Sequence, residues 1–152
     1  MGDYLEKGLV LIIDYGYPQH EFYHHDRSSG TLMCYYRHHT HPDPLILLGL
    51  QDITTHVDFT AIAQSADDAN LNVAGYTTQA YFLLGCGLES IASMENIKNT
   101  QQQIELSQQI RKLTSLSEMG EQFKVLALTR QLDCPLVGFS LADQRARLLP
   151  LQ

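Results

Sequence analysis

The sequence predicts an α/β fold with an incomplete sheet, and three observations carry that expectation. Residues 8–14, Gly-Leu-Val-Leu-Ile-Ile-Asp, form an unbroken β-branched and leucine run, the pattern of a strand buried on both faces in a parallel sheet. Phe59, Ile62, Ala63 and Ala66 fall at helical spacing, and the alternating stretch Leu71–Thr78 follows them. An amphipathic stretch over 100–117 leads into a further strong strand, Phe123–Thr129. Strands alternating with helices make an α/β arrangement, but these are too few for a complete doubly wound sheet.

Taken in order, the 152 residues read as one domain in four segments, 1–17, 18–57, 58–130 and 131–152. Asp3–Lys7 resembles the last turn of a helix, closed by Gly8 as a C-cap, so the chain is expected to start in mid-domain. The strand run stops in the turn residues Asp14-Tyr15-Gly16-Tyr17-Pro18. Segment 18–57 is rich in loop residues and histidines, with Thr31–Tyr36 as a short strand; connections of this length tend to be functional. Asp58 is an N-cap acceptor for a helix that ends near Asn70. A helix over 79–84 is interrupted by Gly85 and Gly87 and resumes toward Met94. Thr100 with Gln103 makes a capping box, and Leu106, Ile110 and Leu113 make an apolar stripe. Gly120 ends the helical region, and the tail 131–152 packs without a strand of its own.

Composition narrows the function. Seventeen acidic against ten basic side chains give a net charge of −7, which leaves no basic stripe for nucleic acid or an anionic membrane. Cys34, Cys86 and Cys134 are few, scattered and odd in number, so a reduced compartment is expected rather than a disulfide framework. The N-terminal residues lack the basic start and long apolar stretch of a signal peptide, and Leu45–Leu50 is too short to span a bilayer.

Two places concentrate chemistry. Ligands of open α/β sheets bind beyond the carboxyl ends of parallel strands, and Asp14–Tyr17 occupy such an end; the alternative is that Asp14 only starts the turn. Gln51–Phe59 sets Asp52, Asp58 and His56 beside a helix entry, where they could grip a cationic or hydroxyl-bearing ligand. The alternative there is that Asp58 caps, Thr54 and Thr55 make local backbone bonds, and His56 is at the surface. His24, His25, His38, His39 and His41 lack metal-ligand spacing, so no metal is expected. Cys34 has no activating partner. No GxGxxG, GxxxxGKS or GxSxG motif is present.

Four segments carry a resemblance: 8–17; Gly30-Thr31-Leu32 with Tyr36-Arg37-His38-His39; Asp43-Pro44-Leu45 with 49–59; and 119–126. In these the chain resembles the carboxyl-terminal half of the MidA-like family of S-adenosylmethionine-dependent methyltransferases, whose mitochondrial members are complex I assembly factors. The resemblance implies a Rossmann-like class I methyltransferase fold. Leu9–Asp14 would be its fifth strand, Leu71–Thr78 its sixth, and Phe123–Thr129 an antiparallel seventh. The family's Gly-rich cofactor loop is not among these residues, so weak or no cofactor binding by this portion alone is implied.

By the same resemblance the cofactor of the whole protein is S-adenosyl-L-methionine, with no metal, and the partner is a protein arginine side chain, with no nucleic acid and no membrane insertion. Asp14, Asp52 and His56 are the implied catalytic residues; Asp14, Tyr15 and Gly16 face the cofactor; Tyr17, Gln51, Thr54 and Asp58 face the substrate. The compartment would be a bacterial cytoplasm or a mitochondrial matrix. The competing expectation is a non-catalytic module that binds a partner protein or the rest of the family's fold, or that self-associates as a homo-oligomer through an exposed sheet edge.

Overall fold

The computed structural model describes residues 4–94 and 99–149. Its main sheet has the order β5-β1-β7-β6, formed by β1 (Gly8–Tyr17), β5 (Val57–Asp58), β6 (Asn72–Thr78) and β7 (Phe123–Arg130). The strand β7 runs antiparallel to both neighbours, from Gly8 opposite Arg130 to Tyr15 opposite Phe123 on one side and from Asn72 opposite Thr129 to Thr78 opposite Lys124 on the other. The antiparallel strand implied by the family resemblance is therefore present, between the two strands it was expected to accompany.

One face of the sheet packs on α2 (Phe59–Asp68). Here Val10, Ile12, Leu126, Leu128 and Tyr76 meet Phe59, Ala63, Ala66, Leu71 and Leu148. On the other face, Val125 and Ala127 are covered by Phe82 of α3 (Gln79–Gly85) and by Phe139. Phe139 lies so close to Gly75 that a Cβ there would stand 2.5 Å from its ring.

The expected strand covered on both faces needs correction. Alternate residues of β1 are open, with Leu9, Leu11 and Ile13 at 42%, 40% and 49% exposure. Among the described residues, parallel pairing occurs only at Gly16 with Val57 and Tyr17 with Asp58. Residues 8–15 pair with β7 alone and lie at a sheet border among the described residues. Their uniform apolarity reflects one packed face and one uncovered face, a distinction that a continuous run cannot express. The strand also continues through Tyr15, Gly16 and Tyr17, where the sequence suggests a turn, because Phe123 and Val57 extend the ladder there.

Segment 18–57 is more ordered than a loop. It contains α1 (Gln19–Phe22), a 3₁₀ turn at His25–Arg27 and a separate sheet of order β3-β2-β4. Those strands are β2 (Met33–Tyr36), β3 (His39–His41) and β4 (Asp52–Thr54). The hairpin joining β2 to β3 places Arg37 and His38 at φ 47° and 68°, the left-handed pair that a two-residue turn demands and that glycine or asparagine usually supplies.

Helix ends follow local chemistry. The Asp58 carboxylate accepts the Ala61 amide at 3.0 Å. At the other end of α2, Asn70 takes φ 55° while the Asn70 and Leu71 amides bond back to Asp67 and Ala66, a Schellman closure in which buried Leu71 joins the core beside Ala66. The helix α4 covers Leu88–Met94. The next helix, α5 (Thr100–Thr114), is capped by Asn99, whose side chain accepts the Gln102 amide at 2.9 Å. The expected Thr100–Gln103 box is thus displaced by one residue, and the helix stops before 117. Gly120 lies inside α6 (Met119–Gln122) rather than ending the helical region. Residues 4–7 are not helical, and the Asp3 end of that expectation and Pro150–Gln152 of the tail lie outside the described residues.

The tail crosses the outer border of β6. The Gln144 amide donates to the Tyr76 carbonyl at 2.6 Å, the Tyr76 amide donates to Asp143 Oδ1 at 3.4 Å, and the Arg145 guanidinium donates to the Val73 carbonyl at 3.1 Å.

Candidate functional site

At the carboxyl end of β1, residues of the small sheet and of the main one line an open cavity of about 560 Å³. Its walls are Tyr15, Thr31, Met33, Tyr35, Asp52, Thr54, His56, Gln122 and Phe123. The placement follows from strand geometry. Tyr15 pairs with Phe123 across β1 and β7; Met33 pairs with Thr54 and Tyr35 with Asp52 across β2 and β4. Directly opposed residues of an antiparallel pair share a face, so each pair delivers two side chains to the same space.

His56 is held by its neighbours. Its ring stacks on Tyr17 with centroids 5.1 Å apart and meets Tyr15 edge-on at 5.3 Å. The Arg27 guanidinium lies 4.1 Å from the Tyr17 ring centroid. The His56 amide donates to Thr31 Oγ1 at 3.2 Å, and Thr31 Oγ1 also bonds Thr55 Oγ1 at 2.7 Å. Burial holds the imidazole pKa below its ordinary value, and the Arg27 charge acts in the same direction. The neutral ring is therefore favoured, and its Nδ1 is buried without a hydrogen-bond partner in the structure. The Tyr15 hydroxyl bonds Thr54 Oγ1. Burial, then Asp14 and Tyr35, raise the Tyr15 pKa, so the phenol stays protonated.

Of the residues singled out in the sequence, Tyr15, Asp52, Thr54 and His56 come together here. Tyr17 stands behind His56. Asp14 lies on the α2 face, opposite Lys124 in the ladder, and its Oδ1 accepts the Tyr15 amide at 2.8 Å. Gly16 is crossed by β5, whose Val57 carbonyl would lie 2.2 Å from an added Cβ, so packing accounts for this glycine. Gln51 Nε2 donates to the Pro44 carbonyl at 2.9 Å and steadies the preceding turn. Asp58 caps α2. Thr31, Met33, Tyr35, Gln122 and Phe123 were not singled out; the signal available for Met33 and Tyr35 was their two-residue spacing.

His24, His25 and Asp26 each bring a ligand atom within 4.8 Å of the others, but all three are exposed and their geometry is explained by contacts to the Asp26 carboxylate. A second groove of about 450 Å³ runs between α2 and the tail past Ala63, Asp67, Val73, Arg145 and Leu148. Asp67 and Arg145 stand at its wall with opposite charges, and it lacks the imidazole and hydroxyls that converge in the first. No helix among the described residues is long and apolar enough to cross a membrane.

The chain is similar to known proteins. The family model described as "Putative S-adenosyl-L-methionine-dependent methyltransferase" matches residues 1–77. A Drosophila melanogaster protein named protein arginine methyltransferase NDUFAF7 homolog, mitochondrial, is 31% identical over 89% of this chain, which spans 31% of its length. A crystal structure of an uncharacterized protein from Burkholderia thailandensis superposes with a TM-score of 0.91 at 42% identity, covering 95% of this chain and 39% of that one. Another from the same organism, solved with S-adenosyl-homocysteine bound, gives 0.87 at 43% identity, over 91% of this chain and 36% of its own. The chain thus spans about a third of the length of these relatives.

Proposed function

Because this chain belongs to the S-adenosyl-L-methionine-dependent methyltransferase family, we propose that it forms the substrate side of an enzyme that methylates a protein arginine, linked to respiratory complex I assembly. The observation that supports this most is the convergence of Asp52, His56, Thr54 and Tyr15 on one cavity at the end of β1. In this reading the Gly-rich cofactor-binding part is supplied from outside these residues.

The cofactor supplies an electrophilic methyl group on a sulfonium. The remaining work is positioning and charge management. Asp52 draws the guanidinium into the cavity, Thr54 and Tyr15 fix the hydroxyl pair that borders it, and neutral His56 accepts the proton that the nucleophilic nitrogen loses. Tyr17 keeps the imidazole plane in place; Gln51 and Asp58 act at a distance, by holding the turn before β4 and the start of α2. The fit to the cofactor is partial. Asp14 has Oδ2 without a protein partner among the described residues and can accept from a hydroxyl or ammonium group, and Tyr15 follows it, whereas Gly16 is explained by Val57.

The test is methyl transfer by the assembled enzyme, followed by mass spectrometry of arginine. Asp14→Asn and Asp52→Asn should each lower transfer at least tenfold while the urea midpoint stays in place; His56→Asn should do the same and flatten the acid limb of the pH profile. Wild-type turnover in any of these variants removes that residue from the mechanism.

One observation favours a second reading, association of two copies through the border of β1. Among the described residues, 8–15 have no strand partner on one side, and Leu9, Leu11 and Ile13 form an exposed row. A two-fold axis through Leu11 would set Leu9 of one copy opposite Ile13 of the other, keeping like faces together.

A further inference from the structure

The small sheet contributes a pair of side chains whose chemistry is more selective than a general cavity wall. Tyr35 and Asp52 are directly opposed on β2 and β4, and both line the cavity. Tyr35 is 45% exposed, and it lines the cavity together with Tyr15 of β1. Asp52 is the sole acidic or basic side chain among the lining residues apart from His56, which burial favours in the neutral form. The remaining walls are aromatic, thioether, hydroxyl or amide. A ligand that neutralises this space must bring a positive charge.

From this we infer that Tyr35 and Asp52 form a two-point receptor for a guanidinium group, with Tyr35 as the residue that selects guanidinium over ammonium. The carboxylate takes paired N–H donors, which a planar fork offers and a compact ammonium does not. The neighbouring tyrosine ring supplies an aromatic face on which a flat, weakly hydrated cation can lie. Tyr35 is thereby a specificity-determining residue, and the β2–β4 sheet is the element that reads the substrate. The inference rests on the proposed function for its choice of arginine, but the receptor operates by binding and needs no methyl donor.

The experiment uses the 152-residue chain and two probes, N-acetyl-arginine methylamide and N-acetyl-lysine methylamide, titrated by NMR without cofactor. The arginine probe should shift resonances of Tyr35, Asp52, Thr54 and His56 with at least fivefold tighter binding than the lysine probe. Tyr35→Phe should keep that preference, whereas Tyr35→Leu, or Tyr35→Val if leucine perturbs the strand, should reduce it below twofold. Asp52→Asn should weaken both probes about tenfold. Equal affinity for the two probes, no binding, or an unchanged preference in both aliphatic variants overturns the receptor. Arginine preference combined with failure of methyl transfer in the assembled enzyme supports the receptor and overturns the proposed reaction instead.

Discussion

Replacing Gly16 with alanine tests the junction on which the site depends. Gly16 is buried beside β5, and an added Cβ would stand 2.2 Å from the Val57 carbonyl oxygen and 2.8 Å from its nitrogen. That is roughly 1 Å inside contact distance, against backbone atoms that cannot rotate aside. Overpacking of this kind typically costs 1–3 kcal/mol, and an immobile partner puts Gly16→Ala near the top of that range, at about 3 kcal/mol. With a urea dependence of about 2 kcal/mol per molar, the unfolding midpoint should fall by about 1.5 M. Gly30→Ala is the control: φ is 75° but nothing lies within 4 Å of the new Cβ, so only the left-handed backbone cost of about 1 kcal/mol applies. Val57 follows His56, so a displaced β5 should also move the His56 ring protons, now set by Tyr15 and Tyr17. An unchanged midpoint in Gly16→Ala, or a loss no larger than that of Gly30→Ala, refutes the reasoning.

His56 also predicts an acid-side loss of stability. Its pKa is lowered in the folded chain, so the unfolded chain binds more protons as the pH falls below about 6.5. The contribution is complete above that value and declines toward the folded pKa; His56→Asn should lessen the fall in urea midpoint between pH 7 and pH 5, and an identical fall would disprove it. At the sheet border, sedimentation should show pairing of the wild-type chain at micromolar concentration and monomers for Leu11→Lys. A monomeric wild type would end the association reading.

Legibility in the sequence followed the range of the interactions involved. The helix α2 was readable because the Asp58 carboxylate accepts the Ala61 amide and the Asn70 amide donates back to the Asp67 carbonyl, both across a few residues. The strand β7 was readable because both its faces are covered and its apolar run says so. The true extent of β1 was hidden, since Tyr15 and Gly16 become strand through Phe123 and Val57, far along the chain. The small sheet was hidden for the same reason, and its hairpin turn uses Arg37 and His38 where a sequence signal would be glycine or asparagine. Asp52, Thr54 and His56 stood out as a polar cluster, but Tyr35 could be placed beside Asp52 only by the register of β2 and β4.

The crossing of the tail over β6 gives the sheet unlike margins. With Tyr76 and Val73 already engaged by Asp143, Gln144 and Arg145, that flank is blunt, and an incoming ribbon finds purchase on the opposite flank alone. Growth therefore has a single direction. Two copies meeting at β1 would close on themselves, each presenting a sealed back, and the ladder could not propagate into a fibre.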